Sequence, residues 1–262
     1  MTELIPSKYQ PALPLDRLIS TEPPGDEALP MDVVFVGGGP AGLSGAIELA
    51  RLVAEDGTLG ELEIAVIEKA EELGHHNLSG AVVNPRAFRE LFPDLEDSDF
   101  PFRRPVEKER VYFMTEGGSW RVPTPPPMKN HGNYISSICE IVRWLGEKAE
   151  ERGVNVFTGY PAASLMMDGE KVIGVRTTPT GLDRDGQPAG GYEPGADILA
   201  RVTALSEGTR GSLTQAWRDK TGVGSPNPQI YALGVKEIWE TKQPLDAIVH
   251  TLGWPLPTTA FG

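Results

Sequence analysis

The stretch that most constrains this chain is Gly37-Gly38-Gly39-Pro40-Ala41-Gly42, set between a β-branched run and an apolar helical pattern. Val33 to Val36 read as a short buried parallel strand, and Leu43, Ile47 and Ala50 then recur at helical spacing. The implied unit is strand, glycine turn, helix. In Gly37-x-Gly39-x-x-Gly42 the three glycines serve, in turn, a tight bend, close approach of backbone to a pyrophosphate, and close helix–strand packing. Pro40 and Ala41 carry the turn into the helix, whose N–H groups and dipole face the anion. The next strand-like run, "LEIAVIEKA", places Glu68 at its carboxyl end, where an acid accepts hydrogen bonds from a ribose 2′-OH. Glu68 lies 26 residues beyond Gly42, longer than the usual spacing of about 20, and the loop "EDGTLGEL" absorbs the excess. An acid here permits NAD or FAD and rejects only a 2′-phosphate, so these residues leave the choice between the two open.

Composition narrows the partners. A net charge of -13 opposes the counterion release that rewards binding to phosphate backbones, which excludes nucleic acid as an expected partner. No apolar run approaches the roughly 20 residues of a membrane-spanning helix, so no transmembrane helix is expected. Cys139 is the single cysteine; it excludes an internal disulfide and any cysteine-ligated metal cluster built from this chain alone, and it fits a reducing, cytoplasmic setting. The four histidines are scattered and suggest no metal site. Residues 1–30 hold Lys8 and Arg17 among acids and prolines, without a signal peptide's basic start and apolar centre, and read as an extended Pro-rich leader.

Further along, Ile138, Ile141, Val142, Leu145 and Ala149 share a helical face that stops at Gly153. Cys139 lies one step off that face and reads as packing. "LMMDGEKVIGVRT" reads as two strands around Asp168-Gly169, giving a β-meander on the sheet, and "TPTGLDRDGQPAGGYEPG" as a surface excursion. A later strand, "ILARVTALSEG", ends in Glu207-Gly208, with Arg210 in the same turn. "YALGVKEIW" and "IVHTLGW" are each expected to give a strand to a second layer. The expected fold is α/β, a Rossmann-like FAD/NAD(P)-binding fold with a β-meander and the start of a substrate-side sheet, incomplete. Its expected divisions are the leader 1–30, a nucleotide-binding domain 31–225, and the start of the second sheet at 226–262.

Several segments occur in an order that resembles the electron-transfer flavoprotein:ubiquinone oxidoreductase family: "GGGPAGLSGAIELA", "IEKAEELGHHNLSGAVVNPRAFRELFPD", "NHGNYI", "EIVRWLGEKAEERGVNVFTGY", "VTALSEGTRGSLT", "YALGVKEIW" and "HTLGWPL". The resemblance implies FAD as the cofactor, with Gly37, Gly39, Pro40, Ala41 and Gly42 at the pyrophosphate and Glu68 at the adenosine ribose. It also implies Leu78, Ser79 and Gly80 beside the flavin, and Glu207 and Gly208 where the chain returns to it. The loop "HHNLSGAVV" lies just beyond a strand's carboxyl end, where open α/β sheets bind ligands. His75 and His76 read first as surface donors, and second as groups able to polarise a flavin carbonyl or shuttle a proton. No catalytic residue is singled out, because the redox chemistry belongs to the flavin.

By the same resemblance electrons arrive from an electron-transfer flavoprotein and leave to ubiquinone, which implies peripheral contact with the inner membrane face. Phe88, Leu91 and Phe92 fall at i, i+3 and i+4 and read first as core and second as a membrane stripe. The family also carries a four-cysteine 4Fe-4S region, which a chain with one cysteine lacks. Its late Gly-Asp segment has no counterpart here, since the only Gly-Asp is Gly25-Asp26. Gly262 matches the first of two glycines that line the family's quinone pocket. The expectation is an amino-terminal fragment of an FAD oxidoreductase, with a complementing carboxy-terminal half as partner. The alternatives are a related FAD enzyme, such as a lipid reductase or aromatic hydroxylase, and a non-catalytic nucleotide-binding remnant.

Overall fold

The computed structural model describes residues 12–78, 80–227 and 231–256. In chain order the first elements are α1 (Leu15–Leu18), β1 (Ile19–Ser20), β2 (Leu29–Val36), α2 (Pro40–Asp56), β3 (Ile64–Glu68), β4 (Ala81–Val83) and α3 (Arg86–Leu91). There follow β5 (Phe102–Pro105), β6 (Glu109–Thr115), β7 (Gly118–Val122), β8 (Tyr134–Ser136), α4 (Ile138–Glu150) and β9 (Asn155–Thr158). The last are β10 (Ala162–Asp168), β11 (Lys171–Thr177), β12 (Thr180–Leu182), β13 (Pro188–Glu193), β14 (Asp197–Leu205), α5 (Ser212–Thr221) and β15 (Ile248–Gly253).

Two compact units result, and the division is not the linear one expected from sequence. The described residues up to Asn77 join those from Val142 to 227, whereas Leu78–Ile141 group with the residues from Tyr231 onward. The segment 78–141, read above as part of the nucleotide-binding domain, therefore belongs to the other unit. Helical and strand periodicity report local structure, not which distant segment a run packs against.

The first unit is built on a seven-stranded sheet ordered β1-β10-β11-β14-β2-β3-β9. Strands β14, β2, β3 and β9 run parallel, while the hairpin β10–β11 pairs antiparallel beside β14. The turn at Asp168-Gly169 closes that hairpin, as its sequence indicates. Alternation sorts the sheet's residues between its faces. Val34, Val36, Ala65, Ile67, Leu165, Val175, Ile198 and Ala200 form one core, completed by Leu213 of α5. On the other face α2 lies so close that a Cβ on its Gly45 would come within 2.8 Å of the Phe35 ring. Helix α4 buries Ile141, Val142, Leu145 and Ala149 of the stripe read from its sequence, and Ile138 is half-buried.

The leader differs from the extended segment expected. Leu15 to Leu18 make a helical turn, and Ile19 and Ser20 add to the sheet edge opposite Leu165 and Met166. Charge holds it there: Arg176 pairs with the buried Asp197 through Nε at 2.7 Å and with Glu22 through Nη1 at 2.5 Å, and Gly25 N–H donates to Asp197 at 2.8 Å. The segment after β11 is an exposed two-stranded hairpin, β12–β13.

The second unit holds two three-stranded sheets, β15-β6-β7 and β4-β8-β5. Phe88 of α3 meets Phe100 and Phe102, and Phe102 stacks on Tyr134, with Phe92 buried beside them. Of the stripe Phe88, Leu91 and Phe92, Phe92 is buried in this cluster and Phe88 and Leu91 are half-buried. Of the two strands expected after residue 226, "IVHTLGW" is β15, paired parallel with β6. "YALGVKEIW" forms no strand: residues 231–239 lack regular structure, because period-two alternation specifies a face but a strand also needs a ladder partner.

Candidate functional site

The strand order fixes where a ligand can sit. From β2 the chain steps to β3 on one side and returns as β14 on the other, and an open parallel sheet binds ligands outside the carboxyl ends at such a switch point. A cleft of about 840 Å³ opens there, lined by the ends of β2 (Val36), β3 (Ile67, Glu68) and β14 (Leu205), the first turn of α2, and Tyr160 beyond β9.

The glycines of the turn do different work. Gly37 sits at φ +115°, and a Cβ on it would lie 2.4 Å from the Ser206 carbonyl oxygen. A Cβ on Gly42 would lie 2.0 Å from the Gly37 carbonyl oxygen, so the helix can approach the turn only without one. Gly39, which precedes the first residue of α2, has nothing within 4 Å of its would-be Cβ. That open space lies on the cleft side of a helix N-terminus whose early N–H groups lack intrahelical acceptors.

Glu68 closes the other side. Its Oε2 accepts from Gly38 N–H and its Oε1 from Ala70 N–H, both at 2.9 Å, so the carboxylate is fixed while each oxygen keeps a lone pair. His76 Nδ1 stands 3.7 Å from Oε1, and His76 lines the cleft; His75 faces away to Glu72 at 3.1 Å. Gly38 is the residue that motif reading misses. Its N–H holds Glu68, and a Cβ on it would come within 2.8 Å of the Glu68 Cβ and of Leu73. The run of three consecutive glycines was the available signal.

Glu207 lines the cleft through its place in the loop, but its carboxylate turns to α5. It accepts from Leu213 N–H at 3.2 Å and from Thr214 N–H and Oγ1 at 2.7 Å, capping a helix whose N-cap residue, Gly211, has no side chain to do so. Gly208, at φ +85°, also lines the cleft, as do Pro40 and Ala41. Leu78 and Gly80 are not among the lining residues, and Ser79 and Gly262 lie outside the described residues. Among the described residues no group of three or more His, Cys, Asp or Glu side chains is placed to hold a metal ion.

Comparison with known proteins adds the decisive observation. No protein-family model matches the chain. The electron transfer flavoprotein-ubiquinone oxidoreductase of Oryza sativa subsp. japonica, a mitochondrial protein, is 40% identical over 245 residues, 91% of this chain. A probable electron transfer flavoprotein-ubiquinone oxidoreductase of Acinetobacter baylyi is 40% identical over 89% of the chain, and that of Mus musculus 42% identical over 88%. The chain belongs to the electron transfer flavoprotein-ubiquinone oxidoreductase family.

The chain spans about two-fifths of the length of these family members: 42% of the rice protein, 42% of the bacterial one and 38% of the mouse one. Solved structures are more distant. A geranylgeranyl bacteriochlorophyll reductase-like protein from Thermoplasma acidophilum matches 69% of this chain and 40% of its own at TM-score 0.46 and 19% identity. The flavin-dependent monooxygenase PieE matches 75% and 32% at TM-score 0.49 and 19% identity. At those scores neither carries a functional transfer.

Proposed function

We propose that the cleft holds FAD and that the chain is the flavin-binding part of an oxidoreductase passing electrons from an electron-transfer flavoprotein to ubiquinone. The observation that carries the cofactor is the division of labour in the turn: Gly37, Gly38 and Gly42 are packed against backbone or side chain, while Gly39 leaves open space at the start of α2. A pyrophosphate needs such a cradle, and a fixed carboxylate with spare lone pairs across from it suits a ribose. Family membership supplies the electron donor and acceptor.

FAD, when bound, supplies the redox chemistry. The chain's part is to bind and orient. Gly39, Pro40 and Ala41 present the helix N-terminus to the pyrophosphate, Glu68 accepts from the ribose, and the backbone at Gly208 closes the far side. Leu78, Ser79 and Gly80 beside the flavin, and Gly262 at the quinone, belong to the same reading through family likeness. So do peripheral membrane contact, a complementing polypeptide, and the view of the β15-β6-β7 sheet as the start of an acceptor-side sheet. No helix among the described residues is long and apolar enough to cross a membrane.

The deciding experiment is an absorption spectrum of the purified chain after dialysis against limiting FAD, with dithionite added to the same cuvette. Flavin bands that co-purify at one equivalent and bleach on reduction are the expected result. A chain that stays colourless after that dialysis removes the cofactor assignment for this chain.

A further inference from the structure

Three strands of the first unit end side by side at the mouth of the cleft. The sheet sets β2, β3 and β9 next to one another and parallel, so the glycine turn, Glu68 and the residues after β9 stand in a row along its carboxyl edge. The third place in the row holds Tyr160, a residue that the pyrophosphate and ribose contacts do not use. It lines the cleft, is 44% exposed, and leans on Phe157 with ring centroids 6.0 Å apart and planes at 65°. Its backbone is fixed to the acid's strand. Tyr160 N–H donates to the Glu68 carbonyl at 2.9 Å, and Gly159 N–H, on a residue at φ +78°, donates to the Ala70 carbonyl at 2.7 Å. An anchored, half-open aromatic ring bordering a ligand cleft is a surface for a flat group.

We propose that Tyr160 is the platform for the nucleobase of the dinucleotide, holding adenine by stacking against its ring. The inference rests on the FAD reading above and adds a specificity residue to it. Order along the sheet edge decides which part of the ligand reaches the tyrosine. One half of a dinucleotide runs pyrophosphate, ribose, base, and the row runs Gly39, Glu68, Tyr160, with neighbouring strands about 4.8 Å apart. A pyrophosphate at the start of α2 and a ribose at Glu68 send the base towards Tyr160 and the flavin half the opposite way. Stacking is also what this corner has to offer. The Tyr160 N–H is spent on Glu68, Pro161 has no N–H, and the Pro161 carbonyl accepts from Thr178 N–H at 2.8 Å, so neither residue gives a donor to the edge of a base. A ring face needs no edge pairing to hold a purine.

The experiment titrates the full chain with two probes, FAD and ADP, the second carrying base, ribose and pyrophosphate without the flavin. Dissociation constants are measured by calorimetry for the parent, Y160A, Y160F and Y192A, and tyrosine ring signals are followed by NMR as ADP is added. Y160A is expected to weaken both probes about tenfold or more, and Y160F, which keeps the ring, to stay within about threefold of the parent. Y192A, at a residue of similar exposure (41%) on the β12–β13 hairpin, leaves both unchanged. The Tyr160 ring signal, identified by its loss in Y160F, moves upfield on ADP binding. Three outcomes overturn the proposal: Y160A that binds both probes as the parent does; a ring signal unmoved at saturating ADP; or a loss in Y160F as large as in Y160A, which puts the contact on the hydroxyl. Should Y160A fail to fold, Y160F and the ring signal of the parent decide. A parent chain that binds neither probe removes the FAD reading and this one with it, whereas binding without a response at Tyr160 removes only this one.

Discussion

The backbone N–H of Gly38 donates to Oε2 of Glu68 at 2.9 Å, across 30 residues of chain. One bond thereby ties the glycine turn after β2 to the acid at the end of β3, and it holds the carboxylate still before any ligand arrives. Glu68→Ala leaves the N–H groups of Gly38 and Ala70 without their acceptor, at a cost of about 1–3 kcal/mol. It also removes the acceptor proposed for the ribose, and on that proposal FAD affinity is expected to fall at least tenfold. Glu68→Gln retains one carbonyl acceptor and should lose less thermal stability than Glu68→Ala. Thermal melts beside flavin-fluorescence titrations separate the two effects.

Two glycines of one motif should fail in different ways. Gly42→Ala places a methyl 2.0 Å from a carbonyl oxygen, so the turn must shift, and both Tm and FAD retention are expected to drop. Gly39→Ala fills open space: the melt should stay close to that of the parent, and FAD affinity should fall if, as proposed, that space takes the pyrophosphate. Equal loss of Tm in both variants would contradict this division.

Glu207 lines the cleft through its loop, while its carboxylate caps α5. Glu207→Ala should lower stability by about 1 kcal/mol, the usual worth of such a cap. FAD affinity should change by less than about threefold, because the side chain points to Leu213 and Thr214. A large affinity loss with an unchanged melt would give the side chain the cofactor role read from sequence.

Acid should release the leader and the aromatic cluster through different carboxylates. The Arg176 guanidinium, helped by Gly25 N–H and opposed by burial, holds Asp197 below the usual carboxylate range. Arg89, then the Tyr134 hydroxyl, hold Asp97 down to about 2. Both groups are more acidic in the folded chain than when unfolded. Their stabilisation is therefore complete above the ordinary carboxylate range near pH 4 and is lost as pH falls towards the folded values. Arg176→Met strands the buried Asp197 and is expected to cost about 3 kcal/mol. Limited proteolysis at residues 15–28 reads the leader directly, and Arg176→Met should expose it at neutral pH.

Local physics made much of this protein legible from its sequence. The β2–α2–β3 unit, the α4 stripe, the Asp168-Gly169 hairpin and Glu68 at a strand end follow from periodicity, glycine and turn chemistry, all of which act over a few residues. Sequence identity then settled the family. What needed tertiary structure was every pairing between distant segments. Only the packed sheet brings Gly38 to Glu68 and turns the Glu207 carboxylate to α5, and only it seats Ile19 and Ser20 beside β10 under the Arg176–Asp197 pair. The same holds for residues 231–236, whose alternation specifies a strand face while the ladder that makes a strand is a property of its neighbours.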